Sequence, residues 1–190
     1  GGGAPKPEAP ETLKDPPPGF NYDLWLGPSP YVPYSDVRVS RTWMFIRDYG
    51  IGCLGGAWGI HDLDAAQFFL DTDDTTPVEI EGRARYYEDI RDVPYSWTVE
   101  QKYANGATVI HMDLVTAKRR AKQFELGGMA SLVTGSKGWI WVSRQGVRTE
   151  PESLATTVIG PNEKHVLLSD DHKQNFLDAI RKKAQPISPI

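Results

Sequence analysis

The sequence predicts an α+β domain with a largely antiparallel, open sheet and helices gathered on one face. Three observations predict it. Residues 58–70 carry apolar groups at helical spacing, the middle of the chain is a run of strand-like segments joined by turns rather than crossover helices, and a well-capped helix closes the order. Ahead of these lies a Pro-rich extended arm, since nine of the 15 prolines fall within residues 1–34.

Proline fixes φ and removes a backbone donor, so the arm is expected to sustain neither a helix nor a central strand. Residues 1–18 read as a flexible arm or loop. Residues 19–36, with Phe20, Tyr22, Trp25, Tyr31 and Tyr34, read as a strap packed on the body, so 19–190 forms a single domain. The segment Trp58–Leu70 reads as a helix with Ile60, Leu63, Gln67 and Leu70 along one side. After an acidic turn at Asp71–Asp74, strands are expected at Val78–Tyr87, Ser96–Tyr103 and Ala107–Asp113, the last two joined by an Asn105-Gly106 hairpin turn. Shorter strands follow at Gln123–Leu126, Ala130–Thr134 and Gly138–Ser143. The last helix starts near Ser169-Asp170-Asp171 and is expected to bury Phe176, Leu177 and Ile180 before Pro186.

Composition excludes several classes. The 190 residues are 39% hydrophobic and 24% charged, with 21 Lys+Arg against 25 Asp+Glu and a net charge of -4. That is the balance of a soluble protein without the basic footprint of a nucleic-acid binder. No apolar run approaches the roughly 18–20 residues needed to span a bilayer, so no membrane partner is expected. The single cysteine, Cys53, excludes a disulfide framework and leaves a cytoplasmic or an exported location equally open.

Gly50-Ile51-Gly52-Cys53-Leu54-Gly55 spells G-x-G-x-x-G. A dinucleotide loop needs a buried strand before it and parallel βαβ units after it, whereas Arg47-Asp48 precede and hairpins follow, so a tight turn is the favoured reading. His61 lies in the first turn of the 58–70 helix with Asp62 and Asp64 after it. The helix dipole lowers a histidine pKa there and a carboxylate raises it, which suits proton transfer near neutrality. Asp170-Asp171 between His165 and His172 read as an N-cap rather than a metal site, and Asp71, Asp73 and Asp74 as a solvated turn rather than a calcium loop. His111 and Asp113 share a strand face, which allows a cross-strand polar pair without marking it as catalytic. No G-x-S-x-G, H-E-x-x-H or P-loop spelling occurs.

Several segments in order resemble the C-terminal domain of the glucose–fructose oxidoreductase/inositol dehydrogenase/rhizopine-catabolism (Gfo/Idh/MocA) family. They are Tyr22-Asp23-Leu24-Trp25-Leu26-Gly27-Pro28, Asp48-Tyr49-Gly50 and Trp58-Gly59-Ile60-His61-Asp62-Leu63-Asp64. Gly135-Ser136-Lys137-Gly138-Trp139-Ile140 and the stretch Ser169–Asp178 resemble its bacterial branch. The resemblance covers most of residues 19–188. It implies a dihydrodipicolinate-reductase-like open sheet that supplies the substrate pocket and, through its free face, a homo-oligomer contact. It also implies an N-terminal Rossmann domain that binds NAD or NADP and carries a lysine in Glu-Lys-Pro. Neither feature occurs in these residues, so the resemblance implies a substrate domain truncated at both ends and catalytically silent alone.

The family signature Asp-x-x-x-His places its histidine on His61 and its aspartate on Ala57, which carries no proton. The resemblance then implies His61 as the base in oxidation of a sugar or cyclitol hydroxyl. Trp43, Arg47, Asp48, Tyr49, Asp62 and Asp64 are its candidates for substrate contact. No metal is expected. Two other readings stay open: a non-catalytic module binding carbohydrate or protein, which Ala57 favours, and an NAD-dependent glycosidase of the same family.

Overall fold

The computed structural model describes residues 8–124, 129–165, 168–183 and 185–187. The arm holds two short helices, α1 (Tyr22–Leu26) and α2 (Asp36–Val39). A helix was not expected here, but the stretch between Pro18 and Pro28 contains no proline. Asn21 starts α1 by accepting the Leu24 N–H at 2.9 Å, and Ser35 caps α2. Tyr22 and Leu26 pack with Tyr34 into a small buried cluster, where the Tyr22 and Tyr34 rings meet edge to face at 5.3 Å. The Tyr22 hydroxyl donates to the Val32 carbonyl at 3.0 Å, and burial pushes its pKa up to about 12.

Residues 8–14 correct the expectation of a loose arm over 1–18. The Glu8 carboxylate accepts from Thr42 Oγ1 at 2.8 Å, Glu11 pairs with Arg38 at 2.6 Å, and the Lys14 N–H donates to the Tyr34 carbonyl at 3.0 Å. These charge-assisted anchors offset the entropy of ordering a proline-rich chain. Residues 1–7 lie outside the described residues.

A 3-10 turn (Arg41–Phe45) leads to α3 (Gly52–Gly55) and α4 (Gly59–Leu70). The strands β1 (Glu79–Tyr86), β2 (Pro94–Lys102) and β3 (Thr108–Met112) form one antiparallel sheet in that order. After α5 (Leu114–Arg120), β4 (Ser131–Gly135), β5 (Gly138–Ser143) and β6 (Gly146–Glu150) form a second, and α6 (His172–Lys182) follows. The class is α+β and antiparallel, as expected, but among the described residues the expected single open sheet is two three-stranded sheets.

The break between them has a physical cause in Asp113. Its carboxylate caps α5 by accepting the Val115 and Thr116 N–H groups, and it also accepts from Ser96 Oγ, the Trp97 N–H and Thr116 Oγ1. A helix nucleated at the end of β3 carries the chain off the sheet edge. Neither α5 nor β6 was expected. Of the expected strand Gln123–Leu126, residues 123 and 124 belong to a 3-10 turn, and 125 and 126 lie outside the described residues. Asp113→Ala is expected to lower stability by about 2 kcal/mol, because a buried cap and its donors are left unmatched. Thermal unfolding of the variant checks this.

Two carboxylates also set the acid limit. Hydrogen bonds from the Arg91 side chain, and from the Glu8 and Arg91 backbones, hold Asp89 well below the usual carboxylate range. Burial pushes Asp113 up, but its bonds from Thr116, Ser96 and Trp97 outweigh burial and hold it down. The unfolded chain therefore binds more protons than the folded one in acid. The stabilisation is complete well above the free value of 3.8 and is lost as pH falls through the lowered folded values. Urea midpoints measured from pH 7 to pH 3 are expected to fall steeply only below about pH 4.

Asp171 starts α6 by accepting the Lys173 and Gln174 N–H groups, each at 2.9 Å. The helix does not bury its stripe as expected: Phe176, Leu177 and Ile180 are 59%, 42% and 60% exposed. Periodicity defines a face, but burial requires an element across it. Ile60 on α4 likewise faces solvent. The acidic turn after α4 is bridged by Lys164, whose ammonium reaches Asp73 at 2.9 Å and Asp71 at 3.1 Å. Among the described residues no helix is long and apolar enough to cross a membrane.

Candidate functional site

The first two turns of α4 carry His61, Asp62 and Asp64 in three directions. At about 100° per residue, neighbours on a helix diverge. His61 and Asp64 are exposed while Asp62 is half-buried. The His61 ring meets the Trp58 ring at 6.3 Å and makes no hydrogen bond among the described residues.

Asp62 stands where two cavities, of about 420 and 390 Å³, share a wall. Apart from Met112, Ala117 and Ala130, the shared residues are Asp62 and His111. The hairpin register explains how His111 gets there. It pairs with Val99 across β2–β3, and residues two apart on a strand share a face, so its ring lies 5.7 Å from that of Trp97, tilted at 58°. Burial raises the Asp62 pKa, opposed by the charges of His111, His61 and Arg144. Burial lowers that of His111, opposed by Asp62. Burial thus pushes each group toward its neutral form while their mutual attraction resists.

The smaller cavity has aromatic walls, Trp58, Tyr87, Tyr95 and Trp97, with the Tyr87 and Tyr95 rings 5.2 Å apart. Cys53 also lines it, and burial raises the thiol pKa, keeping the sulfur protonated and weakly nucleophilic.

The other expected contact residues lie outside both cavities. Tyr49 belongs to the arm cluster, edge to face with Trp25 at 5.2 Å and accepting from Arg38 at 3.3 Å. The Arg47 guanidinium donates to the Asp92 carbonyl at 3.0 Å, the Asp48 carbonyl accepts from Ser29 Oγ at 3.0 Å, and Trp43 is 41% exposed. The structure thus brings Asp62 together with His111 and Trp97, leaves Trp43, Arg47, Asp48 and Tyr49 apart, and places His61 and Asp64 on α4 outside the lining of both cavities. Counting pairs back from the Asn105-Gly106 turn would have found His111 beside Trp97.

The glycine run does not fit the pyrophosphate of a dinucleotide. A Cβ at Gly50 would lie 2.9 Å from the Met44 carbonyl oxygen, and one at Gly52, where φ is +62°, would lie 2.8 Å from Val93 Cγ2. Both glycines are used by close approach of the chain to itself, and a 3-10 turn rather than a strand precedes them.

A family model described as oxidoreductase family, C-terminal alpha/beta domain, matches residues 9–183. No curated protein matches the chain.

Proposed function

Because this chain belongs to the Gfo/Idh/MocA oxidoreductases as their C-terminal alpha/beta domain, we propose that it is a substrate-binding and oligomerisation domain. The substrate is a sugar or cyclitol hydroxyl compound, and NAD or NADP is held mainly by a separate Rossmann domain. The observation that carries the reading is the aromatic-walled cavity of about 390 Å³ beside the first turn of α4. Polyols suit such a site, because apolar ring faces and a few directed polar groups match C–H and O–H surfaces in turn.

In this reading a ring nitrogen of His61 takes the proton of the hydroxyl that is oxidised. Asp62, within electrostatic reach of His61, stabilises the imidazolium that forms. Asp64, exposed on the same helix, meets hydroxyls at the open side. Ala57 removes the family's usual carboxylate, which favours one second reading: a carbohydrate-binding module without turnover.

Polyol-dependent reduction of NAD or NADP, followed by absorbance, tests the division of labour. The chain alone is expected to be silent and to turn over when joined to a family Rossmann domain. Reduction by the chain alone would contradict it, and polyol binding without turnover in the joined protein would favour the second reading.

A further inference from the structure

Strand β1 is the outer strand of its sheet, and all of its residues are exposed. Its far edge, unpaired among the described residues, offers a row of N–H and C=O groups that can template another strand. Neither proline nor lysine interrupts residues 79–86. Side chains alternate along the strand, so Glu79, Glu81, Arg83 and Arg85 share one face and Ile80, Gly82, Ala84 and Tyr86 the other. The charged face thus runs two carboxylates and then two guanidiniums, an order complementary to its own reverse. Within one chain these charges are loosely committed. Glu79 meets Lys102 at 2.7 Å and Glu81 meets Arg83 at 3.5 Å, both pairs exposed and so worth little. Glu81 lies opposite Glu100, and Arg85 has no carboxylate partner among the described residues.

We propose that β1 pairs antiparallel with β1 of a second copy, about a two-fold axis at Gly82, joining two three-stranded sheets edge to edge. The proposal rests on the oligomerisation reading above and deepens it, naming the strand edge rather than the sheet face as the contact. In this register Glu79 faces the partner's Arg85 and Glu81 faces the partner's Arg83, and symmetry repeats both pairs. On the other face Ile80 meets the partner's Ala84, and Gly82 meets its own copy. Other registers are worse. Sliding one strand by a single residue sets the charged face against the apolar one. Sliding it by two sets Glu81 or Arg83 against its own copy, and by four it sets glutamates or arginines against each other. The same charges that repel other strands from this edge therefore admit its own copy in one register. Two short strands make a small interface, so the dimer is expected to depend on protein concentration and on salt.

Sedimentation equilibrium of the 190-residue chain tests this. The parent is expected to show a monomer–dimer equilibrium that weakens from about 0.05 M to about 1 M NaCl. Glu81→Arg and Arg83→Glu each set like charges together twice per dimer, and each is expected to weaken it about tenfold. The double variant reverses the order of charges, keeps their complementarity and should restore the dimer. These side chains are exposed, so the thermal midpoints should stay near the parent's. Position is read independently by cross-linking with a short bismaleimide. A Cβ at Gly82 makes only ordinary contact with Val99 Cγ2 at 3.6 Å, so Gly82→Cys fits the fold and should yield a linked dimer. Ile80→Cys, facing the partner's Ala84, should not, and the parent with Cys53 alone is the blank. A dimer that ignores the single reversals, is not restored by the double variant, or is linked through position 80 instead of 82 overturns the β1 pairing and leaves the oligomerisation reading standing. A chain that stays monomeric at every concentration overturns both.

Discussion

His61→Ala is expected to lower turnover of the joined oxidoreductase by ~10²–10⁴-fold, the usual contribution of a positioned general base. The expectation rests on an imidazole that is exposed, held against Trp58, and free of hydrogen bonds among the described residues. An exposed side chain outside any packed cluster contributes little to folding, so the thermal midpoint should stay within about 0.5 kcal/mol of the parent's stability. Polyol affinity should change little, because the groups that line the cavity are on other positions. Steady-state rates measured beside calorimetric affinity separate these effects. A variant with parental turnover would remove His61 from the chemistry and favour the non-catalytic reading.

Gly59→Ala is expected to have a large structural effect at the site itself. A Cβ at this position would lie 1.9 Å from the Leu54 carbonyl oxygen, 2.7 Å from the Leu54 carbonyl carbon and 2.8 Å from His111 Cε1. Two of these are backbone atoms that no rotamer change can move, so α3 and α4 must separate and His111 must shift from its contact with Trp97. Overpacking of this kind costs about 1–3 kcal/mol and sometimes more. Because the third atom belongs to His111, polyol affinity should fall together with the thermal midpoint. The variant thus differs from His61→Ala in both readouts. A Gly59→Ala chain with unchanged midpoint would show that the approach of Leu54 to α4 is not tight.

Much of this architecture was legible in the chain, for reasons tied to particular residues. Helix α4 announced itself by apolar spacing, the β2–β3 hairpin by Asn105-Gly106, and α6 by Asp171. These signals are local, so they survive without knowledge of the fold. Helix α5 was not legible because Asp113 works as a cap through Ser96 and Trp97, which reach it only once β2 is paired. The division into two sheets follows from that same contact. The exposed stripe of Phe176 and Ile180 errs in the other direction, since local periodicity says nothing of what lies opposite.

The site was legible in the same proportion. His61 and Asp62 could be placed on one helix turn from spacing and from the family resemblance. His111 could not, because its importance comes from a strand register that brings it to Trp97 and Asp62 rather than from any local pattern. Trp43, Arg47, Asp48 and Tyr49 were candidate contacts through the family resemblance, because they offer aromatic faces and directed polar groups. In the folded chain Tyr49 is committed to the arm cluster and Arg47 to Asp92, interactions that sequence spacing does not reveal.

The central claim is that the polyol site lies between α4 and the β2–β3 hairpin of this chain and forms without a cofactor. The indole N–H resonances of the six tryptophans report on it directly, with the Trp97 signal assigned by its loss in Trp97→Phe. Titration with myo-inositol should shift the Trp97 resonance saturably, because its ring lines the cavity, and leave those of Trp25 and Trp43 in place. A saturable shift confined to Trp25 or Trp43, with Trp97 unmoved, would contradict the claim and return the site to the arm side of the fold.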